Sequence, residues 1–386
     1  MASTRLIRLR LPGSVPGRVT VRVGRRLARA IAADLARERP GVRVVLVADA
    51  RAARRHAAPL LGALRRRGVR PEMILIGAPE RTKTREGKAA LEDRLLRSGA
   101  GRDTLIIAFG GGALLDLAGF TAATYMRGIP WIALPTTLLG MADASVGGKV
   151  AVNHPLGKNL LGAFHHPEAV YADLAWLDSL PDRAYRAGLA EIVKMAAGLS
   201  APLFRVLEGS APELLHRRPA LLGDVIARSV ALKSRMVSRD EREAGARQGL
   251  NFGHTIGHAL ETAEPGRWLH GEAVALGLVV ESAIASRVSG FPPEAAARIT
   301  ALLRRLGLPV HPPDRFDPRR LIRLTRSDKK VRRGLPRYAL PRRIGQMSRA
   351  GTGEWTHAVP DALVLACWDD AVRISSPGAG SRGRTH

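Results

Sequence analysis

The sequence predicts an α/β chain with a Rossmann-like N-terminal domain and a mostly α-helical C-terminal domain. Three observations carry this reading. Buried-type strands alternate with helical stretches up to about residue 135, and after about Leu180 the pattern changes to long helical runs. The chain has 386 residues, more than one core usually holds, so two lobes and a cleft are expected. The expected domains are 1–180, Rossmann-like, and 181–374, α-helical; a Gly-, Ser-, Arg- and Pro-rich tail over 375–386 is expected to be disordered.

Val42–Val47 is a mostly apolar, β-branched run, and Asp49 lies just past its end. A helix from about Ala50 to Arg67 leads to the strand Met73–Ile76, and a second helix covers roughly Thr84 to Arg97. Thr104–Phe109 then runs into Gly110-Gly111-Gly112, and a helix over Ala113–Arg127 precedes the strand Trp131–Leu134. Strands and helices of these lengths in alternation specify a parallel sheet.

Composition narrows the function classes. The formal charge is +27, but of 61 basic residues eight are lysine and 53 arginine, and the arginines are scattered over helical surfaces and loops. A nucleic-acid binder would gather its charge into one stripe with interleaved aromatics, so no nucleic-acid partner is expected. In an arginine-rich chain each lysine stands out as a compact charge chosen over a planar one. The single Cys367 excludes an internal disulfide framework and a cysteine-rich zinc module, which leaves His and carboxylates as metal ligands and fits a cytoplasmic setting. The N-terminus has no continuous apolar core and no long uncharged apolar run follows, so neither a signal peptide nor a membrane partner is expected.

Several clusters could carry chemistry. The glycine triplet between strand and helix lets backbone amides approach a pyrophosphate, and Asp49 supplies the acid expected for a ribose diol; a plain tight turn is the alternative. Asp143 to Lys149 and Asn153 to Asn159 form a polar, glycine-rich stretch with Lys149 and Lys158, and no arginine occurs between Arg127 and Arg183. Phosphate or carboxylate recognition competes there with a solvated loop. Glu191 and Lys194 share a helix face amid Ala190, Ile192, Val193, Met195 and Ala196, so a buried carboxylate competes with an exposed ion pair. Asn251-Phe-Gly-His254-Thr-Ile-Gly-His258-Ala-Leu-Glu261, followed across Pro265-Gly266 by His270-Gly-Glu272, has the spacing of a metal site. Read by spacing alone, His254, His258 and His270 are the ligands.

These motifs together resemble the 3-dehydroquinate synthase family of sugar phosphate cyclases over roughly residues 40–350. The resemblance rests on Gly110 to Asp116, Tyr125 to Gly128, Pro135 to Thr137, Asp143 to Lys149, Asn153 to Asn159, Gly188 to Lys194, the histidine segment and Asp328-Lys329-Lys330. Leu115 departs from it, standing where the family usually has a further glycine.

What the resemblance implies is NAD, a divalent metal (zinc first, cobalt second), a sugar phosphate substrate and a homodimer. In the family's reaction, a ring hydroxyl of 3-deoxy-D-arabino-heptulosonate 7-phosphate is oxidised, phosphate is eliminated, the ketone is reduced again and an intramolecular aldol step closes the carbocycle. The implied metal ligands are Glu191, His254 and His270, with His258 moved to the substrate phosphate. Asp143, Lys149, Lys194, Glu243 and His258 take catalytic positions, and Arg127, Lys158, Asn159, Lys233, Arg247, Asn251, Lys329 and Lys330 take substrate positions, Arg127 reaching a neighbouring subunit. Asp49, Glu80, Lys83, Gly111, Gly112, Asp116, Thr136, Thr137 and Ser179 take cofactor positions. Of the eight lysines only Lys88 falls outside these motifs. The rival readings are a related cyclase of the amino-dehydroquinate synthase type and, further off, a metal-dependent polyol dehydrogenase.

Overall fold

The computed structural model describes residues 4–11, 17–311, 316–326 and 336–373. The expected tail and both Lys329 and Lys330 lie outside these residues. Among the described residues no helix is long and apolar enough to cross a membrane. The chain divides into two compact units, one of residues 1–188 and 216–243, the other of 189–215 and 244–386. The sequence reading placed a single cut near 180, whereas here the segment 216–243 returns to the first unit. The reason is the long helix Pro219–Arg239, whose buried face carries Val225, Ile226, Val230 and Val237 and packs on the N-terminal strands.

The first unit is built on a seven-stranded sheet. Its spatial order is Arg5–Arg10, Arg18–Gly24, Ala169–Asp173, Trp131–Pro135, Leu105–Gly110, Val44–Asp49 and Glu72–Ile76. All neighbours are parallel except the first two strands, which form an antiparallel edge. The inner strands Leu105–Gly110 and Trp131–Pro135 are buried along their whole length, as helices on both faces of a parallel sheet require.

Three strands were not anticipated from sequence. Arg5–Arg10 and Arg18–Gly24 hide a period-2 pattern under their arginines: Val19, Val21 and Val23 face the core, while the intervening Thr20 and Arg22 are half-buried on the other face. Ala169–Asp173 is short but fully buried. The glycine-rich stretch after Lys149 is also more regular than a loop, because Lys149–His154 and Gly157–Phe164 pair as an antiparallel hairpin.

From Val44–Asp49 the chain crosses to Glu72–Ile76 on one side and then returns to Leu105–Gly110 on the other. Ala48 pairs with Phe109, so the chain leaves the sheet at Asp49 and at Gly110-Gly111 side by side. This is the point where the winding reverses, and open α/β sheets bind ligands outside the carboxyl ends of the strands there.

The second unit is mostly helical among its described residues. It takes up the helix Asp182–Leu199 from Leu189 onward, and its centre is the pair His254–Ala263 and His270–Val288. Pro318–Thr325 packs on the first of this pair, and Pro293–Arg305 and Asp361–Arg373 on the second. Two short two-stranded ribbons complete it.

Candidate functional site

At the switch point of the first unit, Gly111 is the N-cap of the helix Gly112–Thr124, whose first amides follow the strand directly. The Thr136 amide donates to the Gly110 carbonyl at 2.9 Å, and the Thr137 hydroxyl accepts from the Gly140 amide at 3.1 Å. The first bond holds Pro135-Thr136-Thr137 against the glycine turn, and the second shapes the turn that follows Thr137. Asp49 is spent partly on structure: one carboxylate oxygen caps the helix Ala50–Arg65 by accepting from the amides of Arg51 and Ala52 at 2.7 and 3.0 Å. Leu115 is buried in the core.

Lys83, nearly buried, donates to Asp116 and to the side-chain carbonyl of Asn159, each at 2.6 Å. Burial pushes the Asp116 carboxyl up, while the Lys83 ammonium pulls it back. The Asn153 amide group donates to Glu80 at 3.3 Å, and the Asn153 backbone amide bonds the Lys83 carbonyl at 2.9 Å. Glu80, Lys83, Asp116, Asn153 and Asn159 thus form one connected set. Ser179 lies elsewhere, its hydroxyl 2.6 Å from Nε2 of His56. Burial and the neighbouring Arg55 push the pKa of that imidazole down from its usual range.

Two further ion pairs belong to the first unit. Lys233, on the inner face of its helix, lies 2.8 Å from an Asp143 carboxylate oxygen and also donates to the Asp143 carbonyl at 2.9 Å. Asp143 sits in a π-helical turn, Gly140–Ala144, a geometry that re-aims side chains and recurs at functional sites. Lys149, at the start of the hairpin, pairs with Glu243. Lys158 lies on the exposed hairpin face, and Arg127 is exposed with a left-handed backbone, φ +70°.

The second unit holds the metal-ligand candidates. Glu191 is fully buried and divides its two oxygens between two kinds of partner. One oxygen takes Lys194 at 2.5 Å, one helical turn away; the other faces Nε2 of His254 at 3.6 Å and Nε2 of His270 at 3.2 Å. Each imidazole is turned by a bond at its other nitrogen. Nδ1 of His254 lies 3.2 Å from the Phe252 carbonyl, and Nδ1 of His270 lies 3.0 Å from Glu261. That leaves Nε2 of both rings and one carboxylate oxygen converging.

This donor set fits a divalent metal. The three ligand atoms lie within 4.8 Å of one another, and a second group, His258, Glu261 and His270, meets the same limit. The first group is the better-prepared one, because ligating histidines commonly tie their second nitrogen to a carbonyl or carboxylate, as both do here. The electrostatics agree. Burial works against a charged His270, yet Glu261 and Glu191 push its pKa up to about 10, so the surroundings call for a cation. The His258 ring stacks edge-on to His254 at 5.3 Å between centroids, a neighbour of the site rather than part of the Glu191 group.

Helix packing produces the convergence. Gly253 has φ +80°, and a Cβ on Gly277 would stand 1.9 Å from the Gly253 carbonyl oxygen, so only glycines let these backbones approach. Glu272 caps the start of the helix His270–Val288 by accepting from the Leu269 amide at 2.9 Å. Arg247, almost completely buried, and Asn251 lie in the short 3-10 segment just before the histidine helix. Two acids have no site signal in the motifs: Glu261, which orients His270, and Glu281, fully buried and bonded to the Gly253 amide. Glu281 had a visible signal, a lone charge at the end of the apolar run Ala273–Val280.

The comparisons agree with one another over most of the chain. Residues 73–187 match the family model for the 3-dehydroquinate synthase N-terminal region, and 188–331 match that for its C-terminal region. The 3-dehydroquinate synthase of Nitrosomonas europaea is 43% identical over 337 residues, 86% of this chain and 89% of that protein. That of Prochlorococcus marinus (strain MIT 9313) is 42% identical over 314 residues, 80% of this chain and 84% of that protein. Among solved structures, 2-epi-5-epi-valiolone synthase from Streptomyces hygroscopicus subsp. jinggangensis 5008, with NAD+ and Zn2+ bound, superimposes with TM-score 0.82 at 29% identity, covering 92% of this chain and 96% of that one. A 2-deoxy-scyllo-inosose synthase complexed with carbaglucose-6-phosphate, NAD+ and Co2+ gives TM-score 0.82 at 25% identity, covering 95% and 99%. A glycerol dehydrogenase from Schizosaccharomyces pombe, at 15% identity and TM-score 0.65, shares the fold alone. With a parallel sheet reversing at a glycine turn, a Glu-His-His donor set and matches across both regions, the chain belongs to the 3-dehydroquinate synthase family.

Proposed function

We propose that this chain converts 3-deoxy-D-arabino-heptulosonate 7-phosphate to 3-dehydroquinate and inorganic phosphate, as a phosphate-eliminating lyase that uses NAD and a divalent metal and returns NAD unchanged. The observation that carries the proposal is the convergence of Glu191, His254 and His270 in a chain more than 40% identical to dehydroquinate synthases. When bound, NAD supplies reversible hydride exchange and the metal supplies a Lewis acid for the hydroxyl being oxidised. Glu191, His254 and His270 would hold the metal, zinc before cobalt, leaving open positions for substrate oxygens.

The remaining roles belong to the protein's own charges. The first unit provides the nucleotide positions: Asp49, Glu80, Lys83, Gly111, Gly112, Asp116, Thr136, Thr137 and Ser179. Asp143 and Glu243, each paired with a lysine, accept and return protons at the reacting hydroxyls. In the first unit Lys149, Lys158, Asn159 and Lys233 are substrate-binding positions, and in the second Lys194, Arg247, Asn251 and His258 are. Lys194 also pairs with Glu191 at 2.5 Å and holds it in place. We place the protein in the cytoplasm as a homodimer, with Arg127 reaching a neighbouring copy.

The test is one assay. Full-length protein supplied with NAD and zinc should release inorganic phosphate from the heptulosonate phosphate with no net NADH. Accumulating NADH would mark a dehydrogenase, and turnover restricted to another sugar phosphate would mark a related cyclase; either outcome removes the assignment.

A further inference from the structure

Glu281 is a fully buried carboxylate that no step of the proposed reaction uses. It lies in the middle of the helix His270–Val288, yet its partners lie at the beginning of the other ligand-bearing helix. One of its oxygens accepts from the Gly253 amide at 2.7 Å and the other from the Ile256 amide at 3.0 Å. These are the N-cap and N3 positions of the helix that starts at His254. In an ordinary capping box two side chains of the same helix satisfy those donors. Here the cap residue is a glycine with no side chain to offer, and one carboxylate from a neighbouring helix takes both.

The glycine leaves no alternative. Its φ is +80°, and a Cβ there would meet the Leu278 side chain and the Val274 carbonyl at 2.9 and 3.0 Å. A conventional Ser, Thr or Asp cap therefore cannot be accommodated, and the amides must find their acceptor elsewhere. Glu281 stands on the required face. It follows His270 by eleven residues, about three helical turns, and Gly277 lies between them on the same stripe, against the Gly253 carbonyl.

We propose that Glu281 is a positioning residue for the metal site, setting the backbone from which His254 extends its ring toward Glu191. It rests on the reading that Glu191, His254 and His270 hold the metal. His254 is the first residue of its helix, bracketed by the two amides that Glu281 holds. Its imidazole has one local restraint at Nδ1, the Phe252 carbonyl, which belongs to the same capped turn. The placement of Nε2 thus depends on this turn. Since Glu281 and His270 share one helix face, the carboxylate also fixes the two ligand helices in register with each other.

The Glu281→Gln variant has nearly the same shape but turns one acceptor into a donor facing an amide N–H. Metal affinity is read by chelator competition on the zinc-loaded full chain, and the Co2+-loaded form gives a visible spectrum. Glu281→Gln should weaken zinc binding by about 10- to 100-fold, the range found when groups orienting metal ligands are removed, and should alter the cobalt bands. Ile284→Val on the same helix is the packing control; it should lower thermal stability and leave zinc affinity and the cobalt bands unchanged. Wild-type zinc affinity and cobalt spectrum in Glu281→Gln, or an equal loss of affinity in Ile284→Val, would overturn the proposal. Failure of the underlying ligand assignment would look different, because His254→Ala would then bind zinc as tightly as the wild type.

Discussion

Two lysine–carboxylate pairs, one in each unit, are built in opposite ways. In the first unit Lys149 and Glu243 are brought together across 94 residues, and their side chains retain 46% and 18% of their exposure. In the second, Glu191 and Lys194 are three residues apart on one helix with side chains only 0% and 4% exposed. A hydrated pair contributes little to stability and can be opened by a substrate group, since water and salt screen both charges. A buried pair cannot be opened cheaply, because removing one partner leaves a charge without solvent or counter-ion. The difference separates a pair that a substrate group could open from one that keeps a buried carboxylate in place.

The strongest way to break this contrast is to remove the buried carboxylate. Glu191→Ala should abolish stoichiometric zinc binding and lower kcat/KM by on the order of 10³-fold or more, corresponding to several kcal/mol of lost transition-state stabilisation. Metal analysis with steady-state kinetics checks it, and near-normal zinc content would place the metal elsewhere. Next in size is Gly277→Ala. The new methyl would meet the Gly253 carbonyl oxygen at 1.9 Å, so the helices must separate, at a cost of about 1–3 kcal/mol or more. Denaturant unfolding would register that loss, and an unchanged midpoint would mean the crossing is looser than described.

Lys149→Ala sharpens the contrast from the other side. Stability should change by less than about 1 kcal/mol, as for other solvent-exposed pairs. Losing a charged hydrogen bond to substrate should nonetheless cost roughly 10- to 100-fold in kcat/KM. A large stability loss with intact turnover would reverse the assignment of the two regions.

The smallest effect concerns protons. The flanking carboxylates raise His270 from 6.5 to about 10, so without metal it is an imidazolium at neutral pH. Its contribution to the stability of the metal-free fold is complete below about pH 6.5 and is lost as pH rises through about 10. Zinc needs the neutral ring, so uptake at pH 7 should release about one proton per ion from this group. Calorimetry in buffers of different ionisation enthalpy measures this release, and a value near zero would show that His270 is already neutral.

Much of this arrangement is legible in the sequence because it depends on local pattern. The buried strands ending at Asp49 and Gly110 are continuous apolar runs, and the histidine spacing shows that His254 and His270 can meet. Glu191 is visible as a carboxylate among apolar neighbours. What escapes is set by distant contacts. Glu281 looks like any acid at the end of an apolar helix until its neighbour is a helix start capped by glycine. The N-terminal strands are obscured by their arginines: Arg5–Arg10 lies at the sheet edge, which tolerates charge, and Arg22 in the next strand pairs with Asp34. The return of 216–243 to the first unit has no local signature, because it depends on which surface its helix covers.

The central claim is that Glu191, His254 and His270 hold the metal and His258 does not. Zinc content per chain in purified His254→Ala, His258→Ala and His270→Ala tests it most directly. His258→Ala should keep near-complete zinc with damaged turnover, and the other two variants should hold little zinc. Equal loss in all three would contradict it and return the metal to the three histidines.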